Sequence, residues 1–236
     1  AWIKEKFQST PWVITPHFHP SWSMWGGAKR RTLRDFYDSK IGKSTMESAD
    51  LITCVSNHEK EMLIKEIGLS EDNIKIIYNG INWMDWEDIP DKKKFRDIYP
   101  EISERFVIFA GRLATNKGIP DLIEAMSMEK SHKFDLVVMG ADMGLGKDLD
   151  KIASSKGVKM HRLGHVDDEI YRSALSASEL LVLPSEYEAF GIVLLEAAAA
   201  QTPVVATRVG GIPEAMSEGK NGLIVDYNNP KALSEA

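Results

Sequence analysis

The sequence has little cysteine: Cys54 is the one cysteine in 236 residues. No intramolecular disulfide can form, and a reducing, cytosolic setting is the expectation. Cys54 stands in the apolar run Leu51-Ile52-Thr53-Cys54-Val55, where it reads as a small core residue rather than a nucleophile. An excess of positive charge is also missing: 29 Lys and Arg stand against 35 Asp and Glu, a formal net charge of −6. Neutralising a phosphate backbone needs the opposite balance, which argues against a nucleic-acid partner. No stretch approaches the ~20 apolar residues of a membrane span. The opening Ala1-Trp2-Ile3-Lys4 is neither an initiator Met nor a signal peptide, and Asn229 to Ala236 reads as a helix just begun. Both ends are therefore expected to be cuts in a longer chain. What is present is ordinary globular composition, 43% hydrophobic and 27% charged, in a length that suits one large or two modest domains.

A short strand is expected at 12–15, followed by the loop Pro16-His17-Phe18-His19-Pro20. The spacing of Leu33, Phe36, Tyr37 and Ile41 predicts a helix over about 28–48. A strand at 51–55 precedes a helix at 57–67, capped by Ser56 or Asn57. A strand at 74–78 closes on the turn dipeptide Asn79-Gly80. The charged segment 83–104, which contains Pro90 and Pro100, reads as a linker and puts the domain boundary near Ser103. Domains are thus expected over 1–103 and 104–236. Beyond the boundary, strands are expected at 106–110, 134–139, 158–163, 180–183, 204–206 and 222–225. Helices are expected at 119–128, 147–155, 167–177, 191–200 and 212–216. Strands alternating with helices make an α/β fold with a parallel sheet, whose ligands sit beyond the carboxyl ends of the strands.

The loops at those ends carry the polar residues. Pro184-Ser185-Glu186-Tyr187-Glu188-Ala189-Phe190-Gly191-Ile192 joins an apolar strand to an apolar helix. The N–H groups of Phe190, Gly191 and Ile192 are expected to face a phosphate or sugar at the helix start, with Gly191 permitting close approach. Glu196 follows among Val193, Leu194, Leu195 and Ala197, a setting that predicts a carboxylate in need of donors. Ribose hydroxyls could supply them, and a structural ion pair with a neighbouring Arg or Lys is the alternative. Arg112 and Lys117, five residues apart in Gly111-Arg112-Leu113-Ala114-Thr115-Asn116-Lys117-Gly118, suit an anion, Arg as a fork and Lys as a point charge. Gly210-Gly211-Ile212-Pro213-Glu214 is a further Gly-rich strand-to-helix turn.

Taken together, Arg112 with Lys117, Pro184-Ser185, Glu188 and Glu196 separated by seven residues, Phe190-Gly191, Pro203 to Ala206 and Gly210 to Glu214 resemble the family 4 glycosyltransferases. Ala49 to Ser56 and Tyr78-Asn79-Gly80-Ile81 resemble that family's N-domain. The resemblance runs from about Trp12 to the end. It implies a GT-B fold of two Rossmann-like domains with parallel sheets, here with an incomplete N-domain and a C-domain truncated at its end. The N-domain would face the acceptor, and the C-domain would bind the nucleotide sugar.

The resemblance further implies retaining transfer of a sugar from a nucleotide-diphosphate donor to a glycan, lipid or small-molecule acceptor. Arg112 and Lys117 would hold the diphosphate. Glu188, Ala189 and the N–H groups from Phe190 to Ile192 would meet the sugar, Glu196 the ribose, and Gly164, His165 and Val166 the base. His17 would lie near the sugar, with His19 as runner-up. Ser56, Asn79, Gly80, Gly210, Gly211 and Glu214 are secondary candidates. No metal, no cofactor beyond the donor itself and no obligate protein partner is implied. The expected location is cytoplasmic, with peripheral membrane contact if the acceptor is a lipid.

Other signals point elsewhere or nowhere. Gly140 to Lys147 is not a phosphate loop of the P-loop kind: its glycine spacing is one residue too long and Asp148 stands where a Ser or Thr belongs. Asp148 and Asp150 read as surface charge at a helix start. His17 and His19 have no Cys or third ligand beside them for zinc. Lys29-Arg30-Arg31 with Arg34 reads as the solvated face of a long helix, with contact to anionic lipid or a phosphorylated acceptor as the alternative. The rival functions are a sugar-nucleotide epimerase, a glycan phosphorylase and a non-catalytic nucleotide-sugar-binding module.

Overall fold

The computed structural model describes residues 10–19, 27–128 and 134–236. The chain divides into two compact units, Ala1–Asn79 with Glu188–Phe190, and Gly80–Tyr187 with Gly191–Ala236.

In the first unit, β1 (Val13–Ile14), β2 (Leu51–Cys54) and β3 (Ile74–Ile76) form a parallel sheet in that order. Parallel neighbours need crossovers, and both crossovers contain helix. The first, α1, spans Gly27–Tyr37, widens into a π-helical turn at Asp38–Gly42 and resumes over Lys43–Glu47. The helix forms where the spacing places it, but its apolar stripe is not core: Leu33, Phe36, Tyr37 and Ile41 are all at least half exposed. The second, α2, spans Asn57–Met62 and continues as Leu63–Ile67. Ser56 caps it, its hydroxyl accepting the Glu59 N–H at 3.1 Å. Cys54 is fully buried. No hydrogen-bonded turn forms at Asn79-Gly80; residues 77–82 run irregularly. A Cβ on Gly80 would meet nothing within 4 Å, so sterically this segment does not depend on glycine.

The second unit holds a six-stranded parallel sheet ordered β6-β5-β4-β7-β8-β9. Its strands are β4 (Phe106–Ala110), β5 (Asp135–Met139), β6 (Met160–Gly164), β7 (Leu180–Leu183), β8 (Val204–Thr207) and β9 (Gly222–Val225). Every residue of β4 and β5 is buried and all but Asp135 are apolar, as central strands of a sheet covered on both faces should be. The chain order reverses between β4 and β7, which makes their carboxyl ends the switch point where such sheets bind ligands.

The segment 83–104 is not a linker. It contains α3 (Lys92–Ile98), and the division between the units falls at Asn79/Gly80 rather than near Ser103. A single deep anchor explains this: Phe95 is fully buried with its ring 5.2 Å from that of Phe106. Its N–H donates to Ser173 Oγ at 2.9 Å on α6 (Asp168–Ala177). Arg96 lies over the Phe106 ring at 4.8 Å and donates to the Ser103 and Ala177 carbonyls. The polar composition around these two residues hid the helix. The remaining helices are α4 (Ile119–Met128), α5 (Gly146–Lys156), α7 (Ile192–Ala199), α8 (Ile212–Ala215) and α9 (Pro230–Glu235). No helix among the described residues is long and apolar enough to cross a membrane.

Candidate functional site

The loops that leave β4 and β7 are built into each other. The Glu186 N–H donates to the Asn116 carbonyl at 2.9 Å. Gly118 ends the short 3₁₀ turn Thr115–Lys117 in the left-handed region, φ 64°. A Cβ at Gly118 would stand 1.9 Å from the Pro184 carbonyl oxygen, so only glycine fits. The loop carrying Arg112 and Lys117 is thereby held against the first residues of the Pro184–Tyr187 turn. Ser185 is fully buried, and its carbonyl accepts the Thr207 hydroxyl at 2.6 Å, which ties in the end of β8.

The loops after β4, β5 and β6 are joined in the same way. Gly111 N–H donates to the Met139 carbonyl at 2.9 Å, and Gly140 N–H to the Gly164 carbonyl at 2.8 Å. Gly140 has a φ of 133°, and a Cβ there would lie 2.1 Å from the Gly111 oxygen. Above these glycines opens a cavity of about 310 Å³ lined by Gly111, Gly140, Gly164, His165, Val166, Asp168, Tyr171, Val193 and Glu196, with Ala110 and Met139. A larger cavity, about 530 Å³, is lined by Val107, Asp135, Val158, Lys159 and Leu180 at the opening ends of the strands, with residues of α4 and α9, and holds none of the expected site residues.

Glu196 is half-buried on α7. The helix is less enclosed than its composition suggests: Leu194 and Ala197 are buried, while Ile192 is 43% exposed. Among the described residues no Arg or Lys pairs with Glu196; a hydroxyl does. The Tyr171 hydroxyl donates to Glu196 Oε2 at 2.5 Å. Burial, and then the Glu196 charge and hydrogen bond, push the Tyr171 phenol far above its ordinary range. Gly191 begins α7 at φ 86°, ψ 64°, with no side chain capping the helix. Its start is left with free N–H groups of the kind that take an anion.

The start of α5 is different. Asp142 Oδ1 accepts the N–H groups of Gly144 at 2.8 Å, Leu145 at 2.9 Å and Gly146 at 3.0 Å. A carboxylate of the chain already fills that anion position, which is why Gly140 to Lys147 is no phosphate loop. Those N–H donors hold the Asp142 carboxyl below its ordinary range. Asp150 pairs with Arg162 at 2.6 Å and Asp148 with Lys151 at 3.0 Å, as surface charge should. Among the described residues no group of three His, Cys, Asp or Glu side chains could hold a metal ion.

Of the expected residues, Gly164, His165, Val166 and Glu196 line one cavity. Gly191 and Ile192 open the helix that carries Glu196. Arg112 is exposed and Lys117 half-exposed on the adjoining β4 loop, outside the cavity lining. Glu188 and Ala189, both half-exposed, and the buried Phe190 group with the first unit. His17 and His19 lie in the first unit as well. His17 is exposed and takes φ 45°, a left-handed conformation that non-glycine residues hold only under constraint. The constraint is visible: the Phe18 N–H donates to Glu59 Oε1 at 2.5 Å, Val55 N–H donates to Glu59 Oε2 at 2.8 Å, and Glu59 is fully buried. Ser56 is buried as the α2 cap, its hydroxyl engaged inside the fold. Gly210, at φ 53°, needs glycine, and Gly211 starts the four-residue α8, which bears the half-exposed Glu214. Asp168 and Tyr171 are the cavity residues that sequence reasoning missed. Their signal was faint, an acid and an aromatic three apart at the start of a helix that follows a candidate base-binding loop.

A family model described as glycosyl transferases group 1 matches residues 91–236, more than half of the chain. The chain belongs to this family. A second model, glycosyltransferase family 4, matches residues 1–83. An uncharacterised glycosyltransferase of Methanocaldococcus jannaschii is 39% identical over 202 residues, covering 81% of this chain and 50% of the relative. The alpha-maltose-1-phosphate synthase of Mycolicibacterium smegmatis is 29% identical over 235 residues, 92% of this chain and 59% of the synthase. The chain thus spans half to three-fifths of the length of these curated relatives. Among solved structures, sucrose-phosphate synthase from Thermosynechococcus elongatus superposes with a TM-score of 0.81 at 24% identity, over 100% of this chain and 60% of that one. HepE of Anabaena, solved with UDP and glucose, gives 0.82 at 23%, over 99% and 62%. The fold is the GT-B fold of these glycosyltransferases, as the motif order implied.

Proposed function

We propose that this chain is the donor-binding part of a retaining glycosyltransferase, which moves a sugar from a nucleotide-diphosphate carrier to an acceptor hydroxyl. One observation carries the reading. The loop with Arg112 and Lys117 is bonded to the β7 loop that leads to Gly191, and the cavity with Glu196 and His165 opens at the same end of the sheet. Cations, an uncapped helix start and a hydroxyl-accepting carboxylate are what a nucleoside diphosphate requires.

In this reading Arg112 and Lys117 hold the diphosphate and offset the charge that grows on it as the anomeric C–O bond breaks. Glu196 takes the ribose hydroxyls, and Gly164, His165 and Val166 pass beside the base. Glu188 and Ala189, with the N–H groups of Phe190 to Ile192, address the transferred sugar, and His17 is assigned to the same sugar. The acceptor oxygen bonds to the anomeric carbon on the face the diphosphate leaves, and its proton passes to the departing diphosphate. Independence of a metal rests on the family resemblance. HepE holds UDP with glucose in one solved structure and UDP-glucose in another, which supports a nucleotide-sugar donor for this family member.

A thermal-shift panel of UDP, GDP, ADP and their sugars tests the reading. A nucleotide that binds the folded state at about 100 times its Kd adds ~2.7 kcal/mol of stability, so one member should raise the melting temperature clearly. No shift with any of them would overturn the assignment. Release of a converted nucleotide sugar without an acceptor would indicate an epimerase, and a requirement for inorganic phosphate a phosphorylase.

A further inference from the structure

Glu196 is not alone in the cavity. It projects from α7, and Tyr171 reaches it from α6; the two side chains line the same space and are joined at 2.5 Å, phenol to Oε2. Among the described residues this is the only hydrogen bond of the Glu196 carboxylate. A glutamate side chain has three rotatable bonds and loses appreciable entropy when held still. A tyrosine is stiffer, with two, and Tyr171 is anchored in a helix whose next turn is buried at Ser173, Ala174 and Leu175. The phenol donates one proton, leaving Oε1 and the second lone pair of Oε2 for other donors. A ribose carries two adjacent hydroxyls and needs two acceptor positions fixed relative to each other.

We propose that Tyr171 is a positioning residue for donor recognition, which clamps Oε2 of Glu196 so that the carboxylate meets the ribose diol and distinguishes ribonucleotides from 2′-deoxyribonucleotides. This rests on the assignment of Glu196 to the ribose. Burial and the Glu196 charge raise the phenol's pKa and so keep Tyr171 protonated as the donor.

The test is calorimetric titration of UDP, GDP and ADP, each beside its 2′-deoxy counterpart, into the wild-type chain, Tyr171→Phe and Glu196→Gln. The wild type should prefer the ribo form of the nucleotide it binds. Tyr171→Phe should weaken binding of that ribo form by ~10-fold, the scale of a hydrogen bond to a charged group, and weaken the 2′-deoxy form, which keeps only the 3′-hydroxyl for Glu196, clearly less, so that the ribo preference shrinks. An unchanged circular-dichroism spectrum reports an intact fold, and Glu196→Gln should reduce the preference as well. A Tyr171→Phe chain that keeps the full ribo preference, or that loses both forms equally, overturns the proposal while leaving the ribose assignment standing. A wild type with no ribo preference overturns both.

Discussion

Gly118→Ala is the sharpest perturbation of the site that touches no ligand. Gly118 sits at φ 64°, where an added side chain costs ~1–2 kcal/mol. The new Cβ would stand 1.9 Å from the Pro184 carbonyl oxygen and 2.8 Å from its carbon. Both are backbone atoms and cannot swing aside as a side-chain tip can. Pro184 would have to retreat by roughly 1 Å, and overpacking of that kind costs ~1–3 kcal/mol. The destabilisation should therefore reach ~2–5 kcal/mol, read as a lower urea midpoint in tryptophan fluorescence. The retreat also pulls on the Glu186–Asn116 hydrogen bond, so Lys117 and the β7 turn lose their common register. Misplacement by about 1 Å costs on the order of 100-fold in rate at a positioned site, so transfer by the full-length protein should fall accordingly, and affinity for the nucleotide diphosphate should fall as well. An alanine variant with the wild-type midpoint and the wild-type affinity would refute the claim that the two loops form one structure.

Three further outcomes follow from the geometry. Asp135 accepts Lys159 at 2.7 Å, His161 at 2.8 Å and the Ser103 N–H at 3.0 Å; burial pushes its carboxyl up, but these partners outweigh burial and hold it low. A carboxyl with a lowered folded pKa stabilises above its unfolded value and loses that contribution as the pH falls through the folded one. Asp135→Asn should thus cost ~1–2 kcal/mol at neutral pH, and the gap from wild type in urea unfolding should close below pH ~4. Asp142→Ala strips three N–H groups at the start of α5 of their acceptor and should lower the midpoint of thermal unfolding followed by circular dichroism. His17→Gly should relieve the left-handed strain at φ 45° and stabilise the fold by ~1 kcal/mol, while transfer by the full-length protein falls. A gain in stability with transfer intact would make His17 a structural residue.

The sequence was most legible where apolar residues cluster and Gly or Pro marks an end. The bounds expected for β4, α4, β7 and β9 are those observed, because the apolar residues of β4, β7 and β9 are contiguous, those of α4 recur at helical spacing, and Gly or Pro stands at one end of each. Parallel pairing and a ligand end could be argued from that alternation alone. At α1 the helical spacing of Leu33, Phe36, Tyr37 and Ile41 predicted the helix that forms, while the four side chains remain exposed, since spacing reports the helix and not what covers it. α3 was hidden because it has one anchor residue, Phe95, in a charged run. Gly164, His165, Val166 and Glu196, which motif order grouped as candidates, line one cavity. Tyr171 was not legible, because its role comes from the approach of α6 to α7, a contact between residues 25 apart that no local pattern records. Ser56 could be read both as a cap and as a site candidate, and the cap is visible in its hydroxyl accepting the Glu59 N–H.

The central claim is that one nucleoside diphosphate spans the β4 loop and the Glu196 cavity. Calorimetric titration of UDP, GDP and ADP into the wild type, Lys117→Ala and Glu196→Gln tests it directly. The account predicts that one nucleotide binds the wild type and that each substitution weakens it by ~10- to 100-fold, the loss of a charge-assisted contact worth ~1.5–3 kcal/mol. Binding of any of the three with equal affinity to wild type and both variants would contradict it.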